Sequence, residues 1–352
     1  MGIFSGRITA GLAAALVLLG SSARAQTYAG ANSADTNSYY SQQESNNILT
    51  GSNDKQPAAA PAQPIGNCNW SDACSAYLGD WRDNTMVWAG ADAYKSLGDF
   101  TQPPGPGAGF MNSAGIVGGF NTGFRLGESR IRGQVGASYG IYDLKGRDTV
   151  SAASSEQQTF ITAGIYKRSD VSNGDRISWA SVYDQFFGHQ WGLFASEVYL
   201  SQFRGILGYA INECNEVGVW GTFHTNNDGS VTGQPTPIRA MNQANVYWRH
   251  NFEMGAQTFA YLGAVDSADI ASWLVGLNAQ APLNDFTSLY TNITFAFPGS
   301  HTGPVGSNEL EWNIGAGLAY YLGGKAISPN VSGQRGLPLL PVANNGSLLI
   351  TN

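Results

Sequence analysis

Gly136-Ala137-Ser138-Tyr139-Gly140 has the G-x-S-x-G spacing that, in acyl hydrolases, puts a serine on a sharp strand-to-helix turn. Here the pentapeptide sits inside a regular alternating run, so a strand of small residues is the expected reading. A hydrolase would also need a histidine close by, and His189, His224, His250 and His301 fall elsewhere. Cys68 and Cys74 flank a short loop that a local disulfide would close in an oxidising compartment. Two reduced thiols are the alternative, and no third ligand nearby suggests a metal. Cys214 stands apart. Gly105-Pro106-Gly107-Ala108-Gly109 lacks the lysine and the strand-to-helix setting of a phosphate loop. No catalytic residue, cofactor or metal is therefore expected, and no enzyme activity.

A second group of polar residues is ordered by parity. Asp92, Arg125, Arg132, Gln134, Asp184, Arg204, Arg239, Asn245, Arg249 and Glu311 turn away from the apolar face of the runs that contain them. Successive side chains of a strand point to opposite faces, so these residues would share an inner, wet surface. There they could form an electrostatic constriction for solutes, or pair across the lumen and stiffen the wall.

The elements that must position them read as strands. Ile131, Gly133, Val135, Ala137, Tyr139 and Ile141 share one face; Arg132, Gln134, Gly136, Ser138 and Gly140 share the other. Trp312, Ile314, Ala316, Leu318 and Tyr320 alternate in the same way with Glu311, Asn313, Gly315 and Gly317. About twelve such runs follow from the alternation rule, centred near Ala89, Phe120, Ala137, Ala163, Val182, Gly205, Gly218, Asn245, Phe259, Leu277, Ile293 and Gly315. The links between them alternate in length. Compact turns are expected at 127–129, 171–174, 212–215, 253–255 and 282–285. Longer links are expected at 97–111, 145–156, 188–197, 225–237 and 298–308.

Composition agrees with a surface that is not all in water. Only 12% of the 352 residues are charged, against roughly 25% in ordinary soluble domains, while 45 are Gly and 12% aromatic. A net charge of -7 leaves no basic stripe for nucleic acid. Beyond the start of the chain, no apolar run approaches the ~18 residues of a spanning helix. Trp88, Trp179, Trp191, Trp220, Trp248, Trp273 and Trp312 are spread over many runs, several near their ends, where interfacial girdles form. Trp88 and Trp220 fall on the inner parity.

Four segments follow. Residues 1–25 read as a signal peptide, with Arg7, an apolar stretch over 10–19 and Ala23-Arg24-Ala25 as the cleavage site. Residues 26–67 form a disordered low-complexity periplasmic arm and linker. Residues 68–322 form the barrel. Residues 323–352 form a tail that docks on or in the barrel through Leu339, Leu340, Leu348, Leu349 and Ile350. The expected fold is all-β, an antiparallel up-and-down transmembrane barrel of about twelve strands. A soluble β-sandwich that binds carbohydrate through exposed aromatics is the main alternative.

Leu337-Pro338-Leu339-Leu340-Pro341-Val342-Ala343-Asn344-Asn345-Gly346, together with Gly136-Ala137-Ser138-Tyr139-Gly140, Gln202-Phe203-Arg204-Gly205 and Ala281-Pro282-Leu283-Asn284, resembles a family of secreted, barrel-like proteins abundant in planctomycete bacteria. The resemblance implies a cell-envelope location and no assigned activity. The expected partners are outer-membrane lipid and small solutes. The expected function is a passive pore, or a structural or adhesive envelope barrel with a filled lumen.

Overall fold

The computed structural model describes residues 81–96, 113–144, 155–192, 195–230, 237–267, 271–297, 310–327 and 337–351. The leader, the arm, the Cys68 and Cys74 pair and the Gly105 to Gly109 loop lie outside the described residues. The strands are β1 (Thr85–Lys95), β2 (Ser113–Arg125), β3 (Arg132–Tyr142), β4 (Glu156–Lys167), β5 (Ile177–Trp191), β6 (Ser196–Ala210), β7 (Asn215–His224), β8 (Asn227–Asp228), β9 (Ile238–Ala240), β10 (Gln243–Asn251), β11 (Gln257–Val265), β12 (Trp273–Pro282), β13 (Thr287–Phe297), β14 (Glu311–Tyr321) and β15 (Ile350–Thr351).

Twelve of these close into one antiparallel barrel in the order β1-β14-β13-β12-β11-β10-β7-β6-β5-β4-β3-β2. Each of the twelve centres read from the sequence lies inside one of them. Closure comes from the β1–β14 ladder, in which Gly90 faces Gly317 and Asp92 faces Gly315. That ladder removes the free edges that a sandwich would keep.

Parity around the ladders separates two surfaces. Val87, Phe120, Val135, Tyr139, Phe203, Leu207, Val219, Val246, Trp248, Leu262, Leu318 and Tyr320 point outward and stay exposed. Acidic and basic residues reach the outward parity only at strand ends, as Lys95, Lys167 and Glu197. The opposite parity carries Gln134, Asp184, Gln202, Arg204, Glu216 and Arg249, all buried.

Two connections differ from the sequence reading. The link expected over 188–197 is mostly strand, and only residues 192–195 join β5 to β6. A register shift between Gly188 and Trp191 lets the ladder continue past the expected break. Left-handed backbone at Gln190, Gly192 and Ala195 then turns the chain tightly. The link after β7 is not plain loop either: β8 and β9 form a three-stranded sheet with β15. The tryptophans also divide. Trp248 and Trp273 are exposed, whereas Trp191 and Trp220 are buried, so an interfacial girdle describes only part of the set.

Candidate functional site: an occupied lumen

The inner face surrounds a strand-poor segment, Leu337 to Thr351, rather than an empty channel. Two prolines, Pro338 and Pro341, cannot donate from their backbone nitrogens and break any regular ladder. The segment's carbonyls therefore take their hydrogen bonds from side chains of the wall. Going up the barrel from the short-turn end, Arg168 Nε donates to Leu337 O at 2.7 Å, and its Nη2 donates to Pro338 O. Leu340 O accepts from Asn121 Nδ2 at 2.9 Å and from Gln134 Nε2 at 2.6 Å. Arg204 Nη2 donates to Pro341 O at 2.8 Å, and Ala343 N donates to Thr162 Oγ1 at 3.0 Å.

Beyond that level the chain makes a tight turn. Asn344 O accepts from the amides of Ser347 and Leu348, while its Oδ1 accepts from Gly346 N and Ser347 N. Ser347 O accepts from Gln202 and Gln243. Met241 N donates to Leu349 O at 2.8 Å, and Ile350 and Thr351 pair with Ala240 and Arg239. The segment thus spans the barrel from the β4–β5 turn to the sheet over the opposite end.

Three polar hubs in the wall face this segment. In the first, Asp184 pairs with Arg204 at 2.9 Å and accepts from Thr162 at 2.7 Å. Both members of the pair are nearly without solvent contact, at 0% and 2%. In the second, Glu216 accepts from Arg249, Tyr247 and Ser178 at 2.8, 2.8 and 2.9 Å. In the third, Asp92 accepts from Tyr142 and Asn313, each at 2.8 Å, while Asn345 Nδ2 reaches Asp92 at 3.4 Å and Gln158 Oε1 at 2.8 Å. Tyr94 and Glu156 continue this hub through Gln158. Buried charges persist only when paired and hydrogen-bonded; the first two hubs meet that condition with an arginine each, and the third surrounds Asp92 with hydrogen bonds from Tyr142, Asn313 and Asn345. Arg168 lies just past β4. Burial, and then the charge of Arg249, lower its pKa to about 10, which leaves it cationic at neutral pH.

Glycine on the inner face makes room. A Cβ at Gly136 would stand 2.6 Å from Val342 Cγ2, inside van der Waals contact. Apolar side chains of the segment fill much of the remaining volume. Leu339, Leu340 and Leu349 join Tyr166, Val182, Trp220, Tyr247, Tyr261 and Leu274 in one cluster. Val342, Ala343, Leu348 and Ile350 join Phe160, Phe186, Trp191 and Leu200 in another.

Of the residues picked by parity, Asp92, Gln134, Asp184, Arg204, Asn245, Arg249 and Glu311 are buried on the inner face. Gln134 and Arg204 touch the segment directly, and Asp92 does so through Asn345. Arg125 and Arg132 are register partners at the short-turn end, with Arg125 exposed. Arg239 requires a correction: it lies on β9, outside the barrel wall, and pairs with Asp266 at 3.0 Å. Glu216, Glu156, Tyr142, Gln158 and Arg168 were missed. Glu156 and Glu216 open their strands and Arg168 follows one, so they read as turn charges, although the parity of Glu216 relative to Trp220 pointed inward. Ser138 of the G-x-S-x-G match lies within β3, buried, and paired in register with Phe160 and Gly119. Among the described residues no cluster of three or more His, Cys, Asp or Glu could hold a metal.

The profile of a Family of unknown function (DUF6666) matches residues 84–350, a span that takes in both the wall and the lumen segment. No curated protein matches the chain. Among solved structures, outer membrane phospholipase A from Escherichia coli is 10% identical with a TM-score of 0.41, covering 67% of this chain and 95% of its own. A Pseudomonas aeruginosa FadL homologue is 9% identical with a TM-score of 0.35, covering 67% and 89%. The NanC porin is 8% identical with a TM-score of 0.39, covering 66% and 98%. Likeness at this level carries nothing about activity or ligand.

Proposed function

Given that this chain belongs to the Family of unknown function (DUF6666), we propose that it is an outer-membrane β-barrel kept shut by its own segment from Leu337 to Thr351. The observation that carries this reading is the series of wall-to-carbonyl hydrogen bonds at Leu337, Pro338, Leu340, Pro341 and Ser347, which runs the length of the lumen. An open pore would leave the same donors to water.

The outward surface supports the membrane. A water-soluble monomer rarely exposes large contiguous apolar area, yet here Val, Leu, Ile, Phe, Tyr and Trp side chains stand exposed on strand after strand. A lipid shell removes that area from water at about 25 cal/mol per Å2. A closed barrel also satisfies every ladder hydrogen bond internally, which lipid requires. The leader read from Arg7 and Ala23-Arg24-Ala25 supplies the export route, and the motif resemblance supplies a planctomycete-like cell envelope as the setting. Lipid is then the standing partner, and catalysis plays no part.

A passive small-solute pore is the second reading. It is favoured by the space left between the segment and the β11–β14 wall. Planar-bilayer recording separates the two. The full-length barrel is expected to be silent, and a variant lacking residues 337–352 is expected to conduct in discrete steps. Equal conductance in both defeats the plug. Release of the protein from membranes by carbonate defeats the outer-membrane reading itself.

A further inference from the structure

The lumen segment does not fill the barrel evenly. Its hydrogen bonds with wall side chains include β1, β2, β3, β4, β6 and β10. Among the described residues, no side chain of β12 or β13 hydrogen-bonds to it. A cavity of about 260 Å3 remains beside the segment, with β11 to β14 supplying much of its wall and residues of β1 to β4, β6, β7 and β10 closing the rest. Its size is just below the ~300 to 1,000 Å3 of typical small-molecule pockets.

The lining has a definite chemistry. β11, β12 and β13 carry no Asp, Glu, Lys or Arg. They present amides, Gln257, Asn278, Gln280 and Asn292, beside the aromatic side chains of Phe259 and Tyr290. Trp88 and Tyr321 add rings from the neighbouring strands. The Asn278 amide has no hydrogen-bond partner among the described residues. The charged groups that reach the cavity are committed: Arg204 to Asp184, Arg249 to Glu216, Arg168 to the carbonyls of Leu337 and Pro338, and Asp92 to Tyr142, Asn313 and Asn345.

From this lining we infer a binding site for a neutral, hydroxyl-bearing ring about the size of one sugar unit. Gln257, Gln280 and Asn292 already donate to Asn251, Ser288 and Asn313, so an apolar ligand would leave the Asn278 amide stranded. A charged ligand would lose its hydration and meet no free counter-charge. A neutral sugar ring supplies hydroxyls to the Asn278 amide and C–H faces to aromatic side chains of the lining. The site depends on the geometry of the lumen and not on membrane location.

Three six-membered rings test it by titration calorimetry on the folded full-length protein: methyl glucoside, glucuronate and cyclohexanol. Methyl glucoside is expected to bind saturably and to perturb tryptophan fluorescence through Trp88. Asn278→Ala is expected to weaken it about tenfold, the worth of one hydrogen bond. Phe259→Ala is a second variant, with circular dichroism confirming an intact barrel. Absence of saturable binding, equal or tighter binding of glucuronate or cyclohexanol, or an unchanged affinity in both variants overturns the site.

Discussion

The two sides of the lumen solve the same problem differently. On the side of β2 to β6, inward polar groups are sealed: Gln134, Gln158, Thr162, Asp184 and Gln202 are all at or below 1% exposure. Their side-chain donors are spent on carbonyls of the segment, on Asp184 and on Tyr94. On the side of β11 to β13, the inward positions Phe259, Asn278, Gln280, Tyr290 and Asn292 are only half-buried. One side is ionic and closed, the other neutral and open to a small guest. A lumen can therefore be blocked to flow along most of its wall while keeping a chemically distinct recess.

If that contrast is right, substitutions on the sealed side should be costly and those on the open side should not. The largest effect is expected from Arg204→Leu, which strands the Asp184 carboxylate and removes a bond to Pro341. Denaturant unfolding in detergent should show a loss of about 3 to 5 kcal/mol, as for other broken buried pairs. A loss within experimental error would mean that water enters this side too. Gly136→Val pushes a side chain into Val342 and is expected to cost about 1 to 3 kcal/mol by overpacking. The contact with Val342 is relieved when the segment leaves, although those with Phe120 O and Asn121 of the wall remain, so the same variant should conduct in a planar bilayer where the wild type does not.

Gln134→Ala removes one of two donors to Leu340 O, with Asn121 still in place. A loss near 1 kcal/mol is expected, measurable as a lower unfolding midpoint at unchanged slope. Asn278→Ala is expected to stay within about 0.5 kcal/mol of wild type, since no partner is lost. A large destabilisation there would erase the distinction between the two sides.

The barrel itself was legible from residue order. Period-two alternation depends only on which side chains can face which surface, and a one-residue slip would reverse every face, so the parity of Gln134, Asp184, Arg204, Asn245, Arg249 and Glu311 could be read directly. Arg239 was misplaced because three residues of β9 are too short for alternation to tell wall from loop. The β5–β6 turn was misplaced because a bulge lets strand continue through residues that look like a break.

The occupant of the lumen was legible only as composition. Leu337-Pro338-Leu339-Leu340-Pro341 has apolar side chains and no period, so it signals a need to dock without naming a surface. Its partners are set by closure. Asn121 and Leu340 stand 219 residues apart in the chain, and Asp92 and Asn313 stand 221 apart. Sequence determined the two faces, the strand number and the low charge, because each follows from neighbours along a strand. Only the tertiary structure decided which inner groups are spent on the segment and which are left facing a recess, because that depends on the side of the lumen against which an irregular chain comes to rest.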